Sequence, residues 1–397
     1  MQNQGFDSIR LSTGGLIFRF YNLLHIQEPQ SYSITRRIVV IITLSWLPLF
    51  LLTGIEGNLF NSNLDLPFLF DLQPYVKYLG ILPFLIVAGK FIDPLIASVI
   101  HSMRSSGILG ENNKGQYEEA IERLAIRKDS YIADIVIIFI SYTIVLSFQA
   151  NLERFDASLE YTNWITSHSA TGVHLTLAGW WFVLVSSPVL QIVFFRWFWR
   201  FYLWGTFLFQ VSRIKLDLQP THPDLAGGLG ILKNGENAFI LIFIAMAMNL
   251  SISLSVDIQC TDMNLVQALP IVLSYIIASL VLMTIPLFVF SRQLGYARRW
   301  GRVVYGDLGY RLSHAFNEKW GNSRNLSDGD ELLKTDDSSV VCDYGDIYNT
   351  VRDMRFIPIS LEGLVMQTVT LILPFLPLLL TEFSLPDILR RVVESLI

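Results

Sequence analysis

Charge is scarce in this chain. Only 16% of its 397 residues are Asp, Glu, Lys or Arg, where a soluble domain carries roughly 25%. That shortage excludes an ordinary soluble enzyme, and it equally excludes a disordered chain, which needs charge to stay solvated. Cysteine is rarer still: Cys260 and Cys342 are the only two, too few for a disulfide scaffold or a Cys-rich zinc site. Positive charge is not in excess either. The 29 Lys and Arg against 34 Asp and Glu leave a net charge of −5, which offers a nucleic-acid backbone nothing. HExxH, a P-loop Lys-Ser/Thr and paired CxxC motifs are all missing, so neither a metal nor a cofactor is expected.

What is abundant is apolar length. Hydrophobic residues make up 52% of the chain, and the mean hydropathy is +0.45. Crossing ~30 Å of hydrocarbon at 1.5 Å per residue takes roughly 20 apolar residues. Seven stretches qualify: Ile38–Ile55, Tyr78–Ile100, Tyr131–Ala150, Leu175–Phe195, Phe239–Val256, Leu269–Phe290 and Leu361–Phe383. The expected fold is an all-α polytopic membrane protein. It comprises an N-terminal arm (1–37), a six-span bundle (38–290) with loops 101–130 and 196–238, a loop region (291–360), and a last span with an amphipathic tail (361–397). No signal-peptide pattern precedes the first span, which is expected to stay in the mature protein.

Basic loops stay in the cytoplasm. With the N-terminus inside, 24 of the 29 Lys and Arg fall in cytoplasmic segments and 4 outside, Lys90 lying within a span. Seven spans then put the C-terminus outside. Pro374 and Pro377 leave a second reading, in which the last segment is a re-entrant hairpin and the C-terminus returns. Cys260 and Cys342 fall on opposite sides, so no intramolecular disulfide is expected.

Outside the spans, Gly115–Lys128 reads as a surface helix, with Tyr117, Ile121 and Leu124 on one face and an i,i+4 Glu119–Arg123 pair. The stretch Asn325–Asp346 is acidic and Ser-rich and reads as a mobile loop. Tyr305-Gly306-Asp307 and Tyr344-Gly345-Asp346 read as turns. Ser212–Gln219 alternates polar and apolar residues, which predicts a short strand or extended segment. In the tail, Leu385, Leu389, Val392 and Leu396 share one face of an interfacial helix. Ala247, Ser251 and Ser255 form a small-residue stripe suited to close helix packing. Arg298, Arg299, Trp300 and Arg302 lie just beyond the sixth span and suit anionic lipid headgroups.

The segment Arg196-Trp197-Phe198-Trp199-Arg200 continues the fourth span beyond the length a straight crossing needs. The excess is expected to bend along the inner headgroup layer, where Trp sits well and Arg reaches phosphates. Beyond it lies Pro220-Thr221-His222-Pro223-Asp224-Leu225-Ala226-Gly227-Gly228-Leu229-Gly230. Arg-Trp-x-Trp-Arg followed by Pro-Thr-His-Pro-Asp-x-Ala-Gly-Gly-Leu-Gly resembles a family of uncharacterised bacterial multi-pass membrane proteins. The resemblance implies a bacterial inner-membrane protein and carries no activity with it.

Two candidate sites emerge. His222 and Asp224, with Gly227 and Gly228, are residue types for metal binding or acid–base work. Two ligands at i,i+2 do not complete a metal site, so a structural turn in which they satisfy backbone groups is the preferred reading. The second candidate is a set of charges within the spans: Lys90, Asp93, Asp134, Arg196 and Arg200. Each costs ~2.5–3.5 kcal/mol to insert. Their placement predicts a polar vestibule facing the cytoplasm, in which the acids pair with basic residues of neighbouring helices. Pairs that merely set helix register are the competing reading.

Three functions fit these features. One is transport of a small solute or ion, supported by the intramembrane charges and by spans broken at Pro83, Pro94, Pro188 and Pro286. Another is a non-catalytic scaffold, sensor or subunit, with protein partners or as a homo-oligomer. The third is a headgroup-level lipid enzyme using His222 and Asp224 beside Arg196 and Arg200.

Overall fold

The structure is a computed structural model, which describes residues 10–12, 14, 32–159, 161–169, 172–261, 263–321 and 336–382. Among the described residues seven helical segments are long and apolar enough to cross a membrane: Ile34–Ile55, Leu72–Ser105, Tyr131–Ala150, Leu177–Val211, Leu229–Cys260, Leu265–Phe288 and Leu361–Leu379. These are spans 1 to 7, and the chain is a multi-pass α-helical membrane protein. Among the described residues the only sheet is the hairpin Thr166–Ser169 with Gly172–Leu175.

Spans 2 and 4 are much longer than a bilayer needs. At 34 and 35 residues they measure about 51 and 52 Å, against ~30 Å of hydrocarbon. Their excess length is used as core. Leu203, Trp204, Phe207, Leu208 and Val211 of span 4 are all buried, packed beneath the helix Lys114–Lys128, whose Tyr117 meets Phe207 at 5.9 Å. This corrects the expectation that the aromatic end of span 4 bends along the headgroup layer. The helix continues unbroken from Ser187 to Val211, because a soluble-side roof supplies the apolar contacts that lipid headgroups would otherwise have to offer.

The connections sort into two groups, each held together by its own contacts. In one, Asp65 accepts from the Thr162 N–H at 2.9 Å, Trp164 donates Nε1–H to Asp71 at 2.9 Å, and Leu66 bridges Asn163. In the other, Leu109 bridges Leu216, Asp217 N–H donates to Ile108 O at 2.8 Å, and Gln293 donates to Ser212 O at 2.6 Å. These are the alternating connections that a seven-span chain must divide between two sides. Of the stretch Ser212–Gln219, residues 212–214 close the span 4 helix as a turn, and only the rest is extended, with that single bridge and no strand.

Two expectations in the 291–360 region are overturned. Asp337–Asp353 is a helix, not a loop; residues 322–335 lie outside the described residues. Tyr305-Gly306-Asp307 and Tyr344-Gly345-Asp346 are not turns but lie within the helices Ser291–Phe316 and Asp337–Asp353. Turn-type residues are helical here because the two helices pack on each other. A Cβ at Gly309 would lie 2.8 Å from the Tyr344 ring, and the Tyr344 hydroxyl donates to the Tyr305 carbonyl. Close approach offsets the ~1 kcal/mol that glycine costs in a helix.

Span 7 crosses without turning back. Gln367 sits beside Glu236 and Asn237, Leu371 clusters with Phe243, and Phe375 and Leu378 cluster with Ala247 and Leu254. The two helices therefore advance in the same direction, and the small residue Ala247 admits the Phe375 ring. Pro374 only tightens one turn, Leu373–Phe375, to a 3-10 helix. The expected amphipathic tail lies outside the described residues.

Candidate functional site

Asp134 lies in the first turn of span 3, about 4.5 Å along its axis, and Asp93 sits in span 2 before Pro94. Arg196 and Arg200 are one turn apart on span 4, so they share a face. The structure brings these four side chains together. Arg196 Nε lies 3.5 Å from Asp134 Oδ1, with side chains 13% and 6% exposed. Arg200 stacks over the Trp197 ring at 4.6 Å, and the Trp197 indole is itself held by the Leu85 carbonyl at 3.1 Å.

The N-terminal arm completes the cluster. Ser12 donates its N–H to Asp93 Oδ1 at 2.8 Å and its hydroxyl to Asp93 Oδ2. Its carbonyl accepts from Arg200 at 2.7 Å. Gly14 O accepts from Arg196 at 2.6 Å. Leu11 is fully buried beside them and anchors the segment. Gly89 makes the notch: a Cβ there would lie 2.7 Å from Ser12 Cβ. Asp93 and Arg200 are thus joined through Ser12, and a polar group on each side of the cluster is satisfied by the arm.

Lys90 does not join them. It is exposed on span 2, one turn farther from the roofed end, and its long stem suits snorkelling along the bundle surface. The vestibule set is therefore Asp93, Asp134, Arg196 and Arg200 with Ser12 and Gly14. Ser12 and Gly14 carry no motif in the sequence. Gly89 did offer a signal, since a glycine at i−4 from a buried Asp leaves a gap on the same helix face.

The Pro-Thr-His-Pro-Asp loop is built around one carboxylate. Asp224 Oδ1 accepts from Ala226 N at 2.8 Å and Gly228 N at 3.1 Å, and Oδ2 accepts from Gly230 N at 2.7 Å. His222 Nδ1 lies 2.8 Å from Oδ1. Burial alone would raise the Asp224 pKa, but these hydrogen bonds outweigh it and hold the carboxyl below its usual range. Gly227 and Gly228 adopt φ of 64° and 97°, and a Cβ on Gly228 would meet Ile108 at 2.9 Å. Both oxygens of Asp224 are engaged in shaping the turn, and Leu225 O accepts from Arg355 N at 2.7 Å to fasten the next segment. The loop is a structural joint, which leaves His222 and Asp224 little to offer a substrate.

Comparison with protein-family models, curated proteins and solved structures finds no match. Among the described residues no three His, Cys, Asp or Glu side chains group as a metal site. A cavity of about 460 Å³ lies at the other end of span 3, lined by Gln149, Asn151, Glu153, Arg154, His174 and Trp180, away from the charge cluster. Near that end, Trp164 packs edge-on against Phe68 and Phe182 at 5.0 and 5.8 Å, and its hydrogen bond anchors Asp71, whose carboxyl burial pushes above its usual range.

Proposed function

We propose that this chain is a bacterial inner-membrane protein, N-terminus in the cytoplasm, that transports a small solute or ion through the Asp93–Asp134–Arg196–Arg200 cluster. One observation carries the reading: both guanidiniums are occupied by carbonyls of the chain's own arm, Ser12 and Gly14. Main-chain carbonyls are weak, replaceable partners for guanidinium, whereas a carboxylate or phosphate binds it in a bidentate, charge-assisted way. An anionic solute arriving from the basic side would displace the arm and find its site already assembled. The helices that carry the cluster are irregular in the manner of transporters: spans 2 and 4 contain π-helical turns at Tyr75–Ile81 and Phe182–Ser186, and Pro94 lies inside the continuous helix Leu82–Ser105 of span 2.

Reconstituted vesicles test this. Efflux of chloride, phosphate or a small carboxylate above that of empty vesicles is expected, faster after deletion of residues 1–14 and abolished by Arg200→Gln in protein that still elutes as a folded species. Absence of flux with all three anions, in wild type and arm-deleted protein alike, would refute it.

A second reading, a scaffold or sensor subunit, is favoured by one surface. Tyr296, Trp300, Val303 and Tyr310 are exposed along the helix Ser291–Phe316, with Arg292 and Arg299 on the same face. Such a face suits anionic headgroups or a protein partner. Stoichiometric co-purification of a partner that is lost on Trp300→Ala would support it.

A further inference from the structure

A third polar cluster joins spans 5 and 7, buried at Glu236 and Gln367 and reaching the surface at Asn237, and it has the opposite problem from the first. Glu236 is 3% and Gln367 4% exposed. Gln367 Nε2 donates to Asn237 Oδ1 at 2.9 Å and to Glu236 Oε1 at 3.4 Å. Within the described residues Glu236 Oε2 and Gln367 Oε1 have no hydrogen-bond partner. Among the described residues no Lys or Arg pairs with Glu236. The helix is interrupted beside it: Phe239 N–H returns to Glu236 O and Ile242 N–H to Phe239 O, each an i−3 bond, between the helical segments Leu232–Ala238 and Ile240–Cys260.

Buried oxygens without donors are costly, and a buried charge without a counter-charge more so. We propose that Glu236, Asn237 and Gln367 bind a small monovalent cation between spans 5 and 7. The donor set is all oxygen, which selects hard cations of the alkali or alkaline-earth kind over softer metals. The single carboxylate selects the charge. A monovalent ion is neutralised by it, whereas a divalent ion would leave a net positive charge in a site with no second acid. Gln367 turns its amide nitrogen to the carboxylate, which solvates the charged form but does not cancel its charge. The ion supplies that cancellation and gives both orphan oxygens a partner. Interrupted helices near buried acids are a recurrent way to place such ions in membrane proteins. The site lies on spans 5 and 7, apart from the Arg196–Arg200 cluster, so binding is measured independently of any transport.

The test is thermal unfolding of the full chain in detergent, with sodium, potassium or lithium chloride replacing choline chloride at constant pH and ionic strength. At least one alkali ion is expected to raise the melting temperature saturably over choline, by about 3 °C or more. Glu236→Gln, an isosteric and neutral change, abolishes the rise, and Asn237→Ala shifts its midpoint to higher concentration. A wild type indifferent to all three ions overturns the proposal. So does a response retained in Glu236→Gln. If Glu236→Gln does not fold, an unshifted midpoint in Asn237→Ala overturns it instead. Stability that follows pH but not cation identity would mean that Glu236 holds a proton, and would also overturn it.

Discussion

The Asp134–Arg196 pair sets a sharp energetic test. At 3.5 Å and an effective dielectric of about 20, the attraction is about 5 kcal/mol. Much of it is offset by the desolvation of two charges that are almost wholly buried. Removing one partner leaves that desolvation cost uncompensated, so Asp134→Leu is expected to destabilise by about 3–5 kcal/mol. Arg196→Met should cost at least as much, because it also strips the donor from Gly14 O, worth about 1–3 kcal/mol when left unsatisfied. The double variant removes both charges and keeps apolar volume. Its cost should fall to roughly that of the Gly14 carbonyl alone, about 1–3 kcal/mol. The two changes are therefore strongly non-additive, by about 3 kcal/mol or more. Reversible unfolding in mixed micelles measures all four corners of the cycle. If the double variant loses the sum of the singles to within about 0.5 kcal/mol, the pair is screened by water or headgroups and the buried cluster is not what its geometry indicates.

Asp224 contributes through a depressed pKa, so its stabilisation is complete above the usual carboxylate range and is lost as pH falls through the lower, folded-state value. Asp224→Asn should cost about 1–3 kcal/mol near neutrality and flatten the acid limb of a melting-temperature profile; an unchanged acid limb counts against the role given to Asp224. Gly301→Ala places a Cβ 2.6 Å from Pro220 and should destabilise by about 1–3 kcal/mol. Gly306→Ala on the same helix meets nothing within 4 Å and should be neutral or stabilising by about 0.5–1 kcal/mol. Equal melting temperatures for the two variants would contradict this packing. In a cysteine-free background, Arg154→Cys, exposed in the connection between spans 3 and 4, should react with an impermeant maleimide in intact cells and Trp300→Cys only after permeabilisation; labelling of both in intact cells would overturn the orientation.

Much of the fold was legible because the bilayer imposes one strong rule: a spanning segment must be apolar for roughly 20 residues. All seven stretches read from hydropathy appear as helices. Their ends were less legible where span 2 and span 4 run on, because a protein roof of the helix Lys114–Lys128 and the 212–231 segment replaces lipid as the apolar partner. Hydropathy has no term for that substitution. The same blindness made Asp337–Asp346 look like loop. Its acidic, Ser-rich composition is helical because Tyr344 docks on Gly309, a contact between residues 35 apart.

The candidate site divides along the same line. Asp93, Asp134, Arg196 and Arg200 stand out in sequence because charge within a span is costly wherever it points. Which of these charges meet was beyond the sequence. Lys90 is as conspicuous as Asp93 but faces outward, and Ser12 and Gly14 are inconspicuous yet complete the cluster. Glu236 and Gln367 are 131 residues apart and become one site only where span 7 lies alongside span 5. Sequence alone determined which segments are apolar enough to span and which residues are expensive to bury, since both follow from the local cost of transfer from water. Tertiary structure alone decided which of those costs are offset, because compensation depends on distance and direction between groups that the chain order keeps far apart.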